Sequence, residues 1–284
     1  MWLLLRQSHN PAALATVQPR RHRASFLLHS TVEDYVTSRF GFAAEKAVAS
    51  SRRRMYGGRS SDVERAKDSC DKLQQRLDLS EADLKKIVLK TPPVLGYGYE
   101  ANIEPPLAAL QRRLHLSDAE LKRIVLGKPS VLGYSYEANL EPKLAALKRR
   151  LDLSEAELKK IVLRRPSVLG CSYETNIEPT LVALQKRLDM SEAELKTMVL
   201  RMPSVLSYSY ERNLEPKLAF LQEEFHLTKE MLREKIVKMP VLLCYSLENR
   251  YRPRIEQCRE AAAPVELVWK RASLIDEKFE QLVV

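Results

Sequence analysis

Three residue types recur every 37 positions along this chain, and that period constrains the fold more than any other feature of the sequence. Ser80, Ser117, Ser154, Ser191 and Thr228 form one series. Pro92, Pro129, Pro166, Pro203 and Pro240 form a second, and Pro105, Pro142, Pro179, Pro216 and Pro253 a third. A unit this short cannot bury its own apolar face, so copies must stack and share a continuous core. The expected architecture is an all-α solenoid, right- or left-handed, of about five units, each a helix, a short 3₁₀ turn and a second helix.

The unit from Ser154 to Met190 shows why. Ser154 and Glu157 have the spacing of a capping box, in which hydroxyl and carboxylate each satisfy an orphan backbone donor. Ser80 with Asp83, Ser117 with Glu120, and Ser191 with Glu194 repeat it. Leu158, Ile161 and Val162 then make an apolar stripe at helical spacing. Pro166 disfavours helix in the residue before it, so the first helix should stop near Arg164. The stretch 166–170 is too short for another helix and suits one 3₁₀ turn, pinned by Val168 and Leu169. A second helix should start near Ser172, with Ile177, Leu181, Leu184 and Leu188 along one seam. Pro179 falls inside that seam and is expected to bend the helix. The same bend in every unit would curve the stack and give it a concave binding face.

Few glycines and many Leu, Ala, Glu and Lys residues favour helix over sheet. No apolar run approaches the ~20 residues of a membrane helix, so no membrane partner is expected. Cys70, Cys171, Cys244 and Cys258 lack metal-ligand spacing and read as reduced thiols. No Ser–His–Asp or Cys–His grouping, glycine-rich phosphate loop or metal-ligand cluster recurs. The expectation is a protein with no catalytic residues, metal, cofactor or small-molecule substrate.

The formal net charge is +10, which suits a polyanionic partner. Residues 1–79 hold 14 basic against 8 acidic side chains, and residues 80–264 hold 30 against 25. A nucleic-acid reading therefore requires the repeat cations to gather on one face. Arg6, Arg20, Arg21 and Arg23 with no acid before Glu33 have the composition of an organellar transit peptide. A mitochondrion fits best, with a plastid as the alternative; a basic tail is the plainer reading.

Two rows of cations are candidate phosphate contacts. Lys90, Lys128, Arg164, Arg165, Arg201 and Lys238 recur just before the first proline. Arg112, Arg113, Lys148, Arg149, Arg150, Lys186 and Arg187 close the second helices, a row broken by Glu223 and Glu224 in the next unit. Both rows also suit the helix C-terminal dipole. The basic pairs Lys85 and Lys86, Lys122 and Arg123, and Lys159 and Lys160 read as exposed faces ion-paired with acids one turn earlier. The tyrosines at 97, 99, 134, 136, 173, 208, 210 and 245 read as junction packing rather than base stacking. Asn102, Asn139, Asn176 and Asn213 read as structural. His115 and His226 share a register with Asp78, Asp152 and Asp189, which suggests a solvated loop.

Pro129, Val131 and Leu132, followed by Leu140, Pro142 and Leu144, resemble the repeat of the mitochondrial transcription termination factor (mTERF) family. Tyr35, Val36, Gly41, Ala47 and Arg52 to Arg54 resemble its opening segment, and Ile275 to Phe279 its closing one. The units here are unusually alike, and Arg250 stands where the other units have Asn. The resemblance divides the chain into a transit peptide (1–32), a leading helical segment (33–72), repeats (73–258) and a C-terminal capping helix (259–284). It implies a monomeric, organellar nucleic-acid binder that regulates transcription, with duplex DNA the first choice and RNA, in splicing or ribosome assembly, the second. A protein-binding scaffold is the runner-up. The tetratricopeptide Trp–Leu–Gly–Tyr pattern is missing, and HEAT units are longer. A pentatricopeptide-type code requires units that vary more than these do.

Overall fold

A computed structural model of the chain describes residues 31–41, 60–272 and 274–283. Residues 1–30 of the expected transit segment, and the basic run Arg52 to Arg54, lie outside the described residues. Regular structure among the described residues is entirely helical. Helices α1 (Val32–Phe40) and α2 (Ser60–Leu77) lead. The first helices of the five units are α3 (Glu81–Lys90), α5 (Asp118–Gly127), α7 (Glu155–Arg164), α9 (Glu192–Arg201) and α11 (Lys229–Lys238). The second helices are α4 (Glu104–Arg113), α6 (Glu141–Arg150), α8 (Glu178–Leu188), α10 (Glu215–Glu224) and α12 (Arg252–Glu260). Helices α13 (Leu267–Lys270) and α14 (Asp276–Val283) close the stack.

Local chemistry explains each boundary. Ser80, Ser117, Ser154 and Ser191 cap their helices in complete capping boxes. Thr228 caps α11 through the Met231 N–H alone, because Met231 has no carboxylate to return the bond. Helix α7 stops at Arg164, and Pro166–Gly170 forms a 3₁₀ turn in which the Val168 N–H donates to the Arg165 carbonyl at 3.0 Å.

The second half of the unit differs from expectation. The residues from Tyr173 to Ile177 wind as a π turn: the Ile177 N–H donates to the carbonyl five residues back, on Ser172, at 3.1 Å. Helix α8 follows, with Pro179 at its second position. The same π turn precedes the proline in every unit. The chain thus changes winding at this point, where a bend inside an α-helix was expected. Proline supplies no N–H and crowds the carbonyl four residues back, and a wider turn relieves both.

Asp78, His115, Asp152, Asp189 and His226 lie exposed in turns and share a backbone requirement. They are left-handed residues, with φ between 45° and 51°, each placed just after a second helix. Asp and His tolerate this conformation better than most L-residues, which is why the register accepts either. Gly41, 37 positions before Asp78, also has positive φ (84°) and caps α1. Helices α1 and α2 therefore share the register of the second helices.

Packing sets the hierarchy of energies. The unit 154–190 buries ten apolar side chains, from Leu158 to Met190, at roughly 1.5–3 kcal/mol each. An exposed ion pair contributes about 0–1 kcal/mol. Successive first helices pack on one another, as do successive 3₁₀ turns, whereas a second helix meets the following unit through that unit's π turn or first helix. Neighbouring units also touch where 3₁₀ turns end. A Cβ on Gly133 would lie 2.6 Å from the Tyr97 hydroxyl of the unit before. Where the preceding side chain shrinks to Cys171, the glycine is replaced by Ser207.

Candidate nucleic-acid interface

The first cation row lies along the ends of the packed first helices. Lys90, Arg164, Arg201 and Lys238 are the last residues of α3, α7, α9 and α11, and all are exposed. Lys128 and Arg165 follow α5 and α7 by one residue and are half-buried. Arg164 Nη1 donates to the Leu200 carbonyl at 3.1 Å, and Arg201 Nη1 to the carbonyls of Val237 and Lys238 at 3.2 and 3.1 Å. The cations thus complement the helix dipole, but that of the next unit rather than their own. The Nη2 groups of both arginines bond to no described residue, leaving donors for an anion.

The second row separates into two sets one residue apart. Arg113, Arg150 and Arg187 are tied into a ladder that also contains Arg39 and Arg76. Arg150 Nε meets Glu178 at 3.1 Å, its Nη2 meets Gln185 at 2.7 Å, and its Nη1 meets Glu192 at 2.6 Å. Arg113 reaches Glu141 and Glu155 in the same way, and Arg187 reaches Glu215 and Gln222. Lys148 pairs with Glu155 at 2.6 Å. Tyr99, Tyr136, Tyr173 and Tyr210 donate their hydroxyls to the ladder acids Glu104, Glu141, Glu178 and Glu215. Burial, with the neighbouring glutamate, pushes the pKa of each of these phenols above its usual value, so they remain donors at any physiological pH. Arg113, Arg150 and Arg187 hold units together. Arg112, Arg149 and Lys186 are exposed and form no ion pair among the described residues.

The basic pairs on the first helices also differ from expectation. Lys159 reaches across to the preceding unit, to Glu120 at 2.8 Å and to the His115 carbonyl at 2.7 Å. Lys122, Lys196 and Arg233 make the equivalent contacts with Asp83, Glu157 and Glu194 and with the carbonyls of Asp78, Asp152 and Asp189. The capping-box acid therefore has a second role as receptor for the next unit. The Lys159 ammonium beside Glu120 holds that carboxyl below its ordinary range.

Clefts open between neighbouring units at the π turns. One of about 360 Å³ is lined by Tyr97, Asn102, Gly133, Tyr134 and Glu137. Another of about 250 Å³ is lined by Tyr134, Asn139, Lys143, Cys171 and Glu174. Asn139 and Asn213 accept from the buried Lys143 and Lys217, which also donate to the carbonyls of Leu169 and Leu243 at 2.5 and 2.8 Å. Desolvation pushes both amines below the usual lysine value. The register 69, 106, 143, 180, 217 and 254 is buried, or half-buried at Pro106, in every unit although its residue type changes. Sequence reasoning passed over it because no single residue type repeats there. It also passed over the exposed acids Glu100, Glu137, Glu174, Glu211 and Glu248, which recur on the π turns and make that edge unsuited to phosphate.

The repeat and its termini decide the assignment. The mTERF family pattern matches residues 30–274. This chain belongs to the mTERF family. The match spans both leading helices and all five units, in keeping with their common register. No curated protein matches the chain significantly. mTERF proteins are organellar nucleic-acid binders that act in transcription-related steps of gene expression. Among the described residues, no helix is long and apolar enough to cross a membrane.

Proposed function

We propose that this protein is a monomeric mitochondrial regulator of transcription that grips duplex DNA by its phosphates and performs no covalent chemistry. The observation that carries the reading is the cation row Lys90, Lys128, Arg164, Arg165, Arg201 and Lys238. It lies where equivalent elements of successive units approach most closely. In a curved stack the most closely spaced layer is the inner one. Arg112, Arg149 and Lys186 are free but lie at the ends of the more widely spaced second helices and serve as auxiliary contacts at most. The paired Arg113, Arg150 and Arg187 leave the binding set. The Arg-rich, acid-free first 32 residues support import into the organelle.

Phosphate binding releases counterions, so six contacts would lower affinity about 10³-fold between 50 and 200 mM salt. The test is a salt titration of mixed-sequence duplex DNA and of structured RNA, with wild type and with a triple variant, Arg164→Ala, Arg201→Ala and Lys238→Ala. The variant should bind less tightly and lose about three units of log–log salt slope. An unchanged slope would remove the inner row from the interface. Tighter binding of RNA than of duplex at every salt would replace the substrate.

A further inference from the structure

Repeats provide an internal control: the same position can be compared where a following unit covers it and where the stack ends. Along α11 and its C-cap, Met231, Lys235 and Met239 lie at i, i+4 and i+8, one stripe of the last unit's first helix. Their counterparts in α9 and just after it are Glu194, Met198 and Met202, of which the two methionines are 0% and 6% exposed under the next unit. At the end of the stack Met231 and Met239 are 46% and 37% exposed, and Val241 beside them is 40% exposed.

At two neighbouring positions the last unit is also more apolar than all the others. Met231 replaces Asp83, Glu120, Glu157 and Glu194. Val241 replaces Pro93, Ser130, Ser167 and Ser204. Met239 stands where Thr91, Lys128, Arg165 and Met202 stand. A terminal repeat ordinarily presents a polar outer face; here Lys235 follows that rule, in place of Ile87, Ile124, Ile161 and Met198, but Met231, Met239 and Val241 do not. Helix α13 covers only part of the stripe. Its Trp269 stacks on Phe225 at 4.0 Å and lies 3.9 Å under the Lys235 ammonium. Beside it a cleft of about 220 Å³ remains, walled by Met239, Leu242 and Trp269 and rimmed by Lys235, Lys238 and Lys270.

We propose that this open end is a docking site for an α-helix of a partner protein, carrying an apolar stripe flanked by acidic residues. Stacking geometry favours a helix, because a first helix covers this stripe in each preceding unit. Three lysines around an apolar floor call for carboxylates on the incoming helix. Head-to-tail addition of a second copy is disfavoured. The basic residue that anchors each incoming first helix pairs with a capping-box acid, as Lys159 does with Glu120, and here Met231 stands in place of that acid. Nucleic acid is disfavoured because phosphates would leave Met231, Met239 and Val241 uncovered.

The experiment follows Trp269 emission in the full chain carrying Trp2→Phe, which leaves Trp269 as the single tryptophan. The probes are two synthetic helical peptides with the same leucine stripe, one flanked by Glu and the other by Lys, and a mixed-sequence DNA duplex. The Glu peptide should bind saturably. Val241→Glu and Met239→Glu, both at exposed positions, should each weaken it at least about tenfold at unchanged melting temperature, and Lys270→Glu should transfer preference to the Lys peptide. The proposal is overturned by failure of the Glu peptide to bind, by equal binding of the two peptides, or by indifference to the Val241 and Met239 changes. Loss of duplex affinity in Val241→Glu would assign the end to nucleic acid instead. A sedimentation dimer of the wild type that Val241→Glu dissociates would assign it to a second copy. Lys238 borders both this cleft and the proposed DNA row, so Arg164→Ala with Arg201→Ala is the control: it should weaken the duplex and leave binding of the Glu peptide unchanged.

Discussion

Arg149 and Arg150 are adjacent in sequence and should behave as opposites. Arg150 is largely enclosed, its side chain 17% exposed, and reaches Glu178, Gln185 and Glu192 across two unit boundaries. A hydrogen bond to a charged group contributes about 1.5–3 kcal/mol when shielded. The Glu192 pair is discounted because that carboxylate is 66% exposed, which places it among surface pairs of about 0–1 kcal/mol. Summing the shielded Glu178 contact with smaller shares from the other two, Arg150→Ala should destabilise by about 2–3 kcal/mol. For a chain of this size that is a fall in melting temperature of roughly 4–10 °C. Arg149 is exposed and unpaired, so Arg149→Ala should stay within about 0.5 kcal/mol of wild type. Calorimetric melts of both variants, with duplex binding at two salt concentrations, make the comparison. If Arg150→Ala melts with the wild type, or if the two variants lose DNA affinity equally while both stay stable, the division of this row into ladder and free cations is wrong.

Other consequences can be measured directly. Gly133→Ser should destabilise by about 1–3 kcal/mol, since the new side chain meets the Tyr97 hydroxyl. Adding Tyr97→Cys should recover most of the loss by recreating the Cys171 and Ser207 pairing, a double-mutant cycle read by thermal unfolding. Asp152→Val should cost about 1–2 kcal/mol at its φ of 45°, whereas Asp152→Gly should be near neutral, which urea midpoints will report. Asp118, Glu155 and Glu192 have carboxyls lowered by Arg76 with Gln111, by Lys148 with Arg113, and by Gln185 with Arg150. A depressed folded value means stability is fully present above about pH 4–5 and is lost as the pH falls through the folded values. Melting temperature should therefore hold from pH 7 to 5 and drop below pH 4, and Arg150→Ala should flatten that drop.

Much of the architecture was legible because it depends on chemistry within a few residues. The capping serines, the helix end at Arg164 and the 3₁₀ turn at Pro166 each follow from one donor, one acceptor or one missing N–H. The π turn at Tyr173 was not legible: proline announces a conflict in the helix but not which winding resolves it. The left-handed state of Asp152 and His115 was obscured because two dissimilar side chains share one backbone requirement. The candidate interface was half legible. Periodicity located both cation rows, but Arg149 and Arg150 have the same charge and the same local neighbours. What distinguishes them is Glu178 and Glu192, 28 and 42 residues away.

The sequence by itself determined the unit: its 37-residue period, the boundaries of its helices, the stripe that must be buried and so the necessity of stacking. Those properties come from short-range hydrogen bonding and from an apolar face too large for one unit to hide. Tertiary structure alone decided how the charges are used. Arg113, Arg150 and Arg187 fasten units together, Lys159 reads the capping acid of its neighbour, Lys143 goes inside, and Lys90 and Lys238 stay outside. A charge is neutralised or left available by whatever stands within a few ångströms, and in a stacked fold those neighbours come from other units.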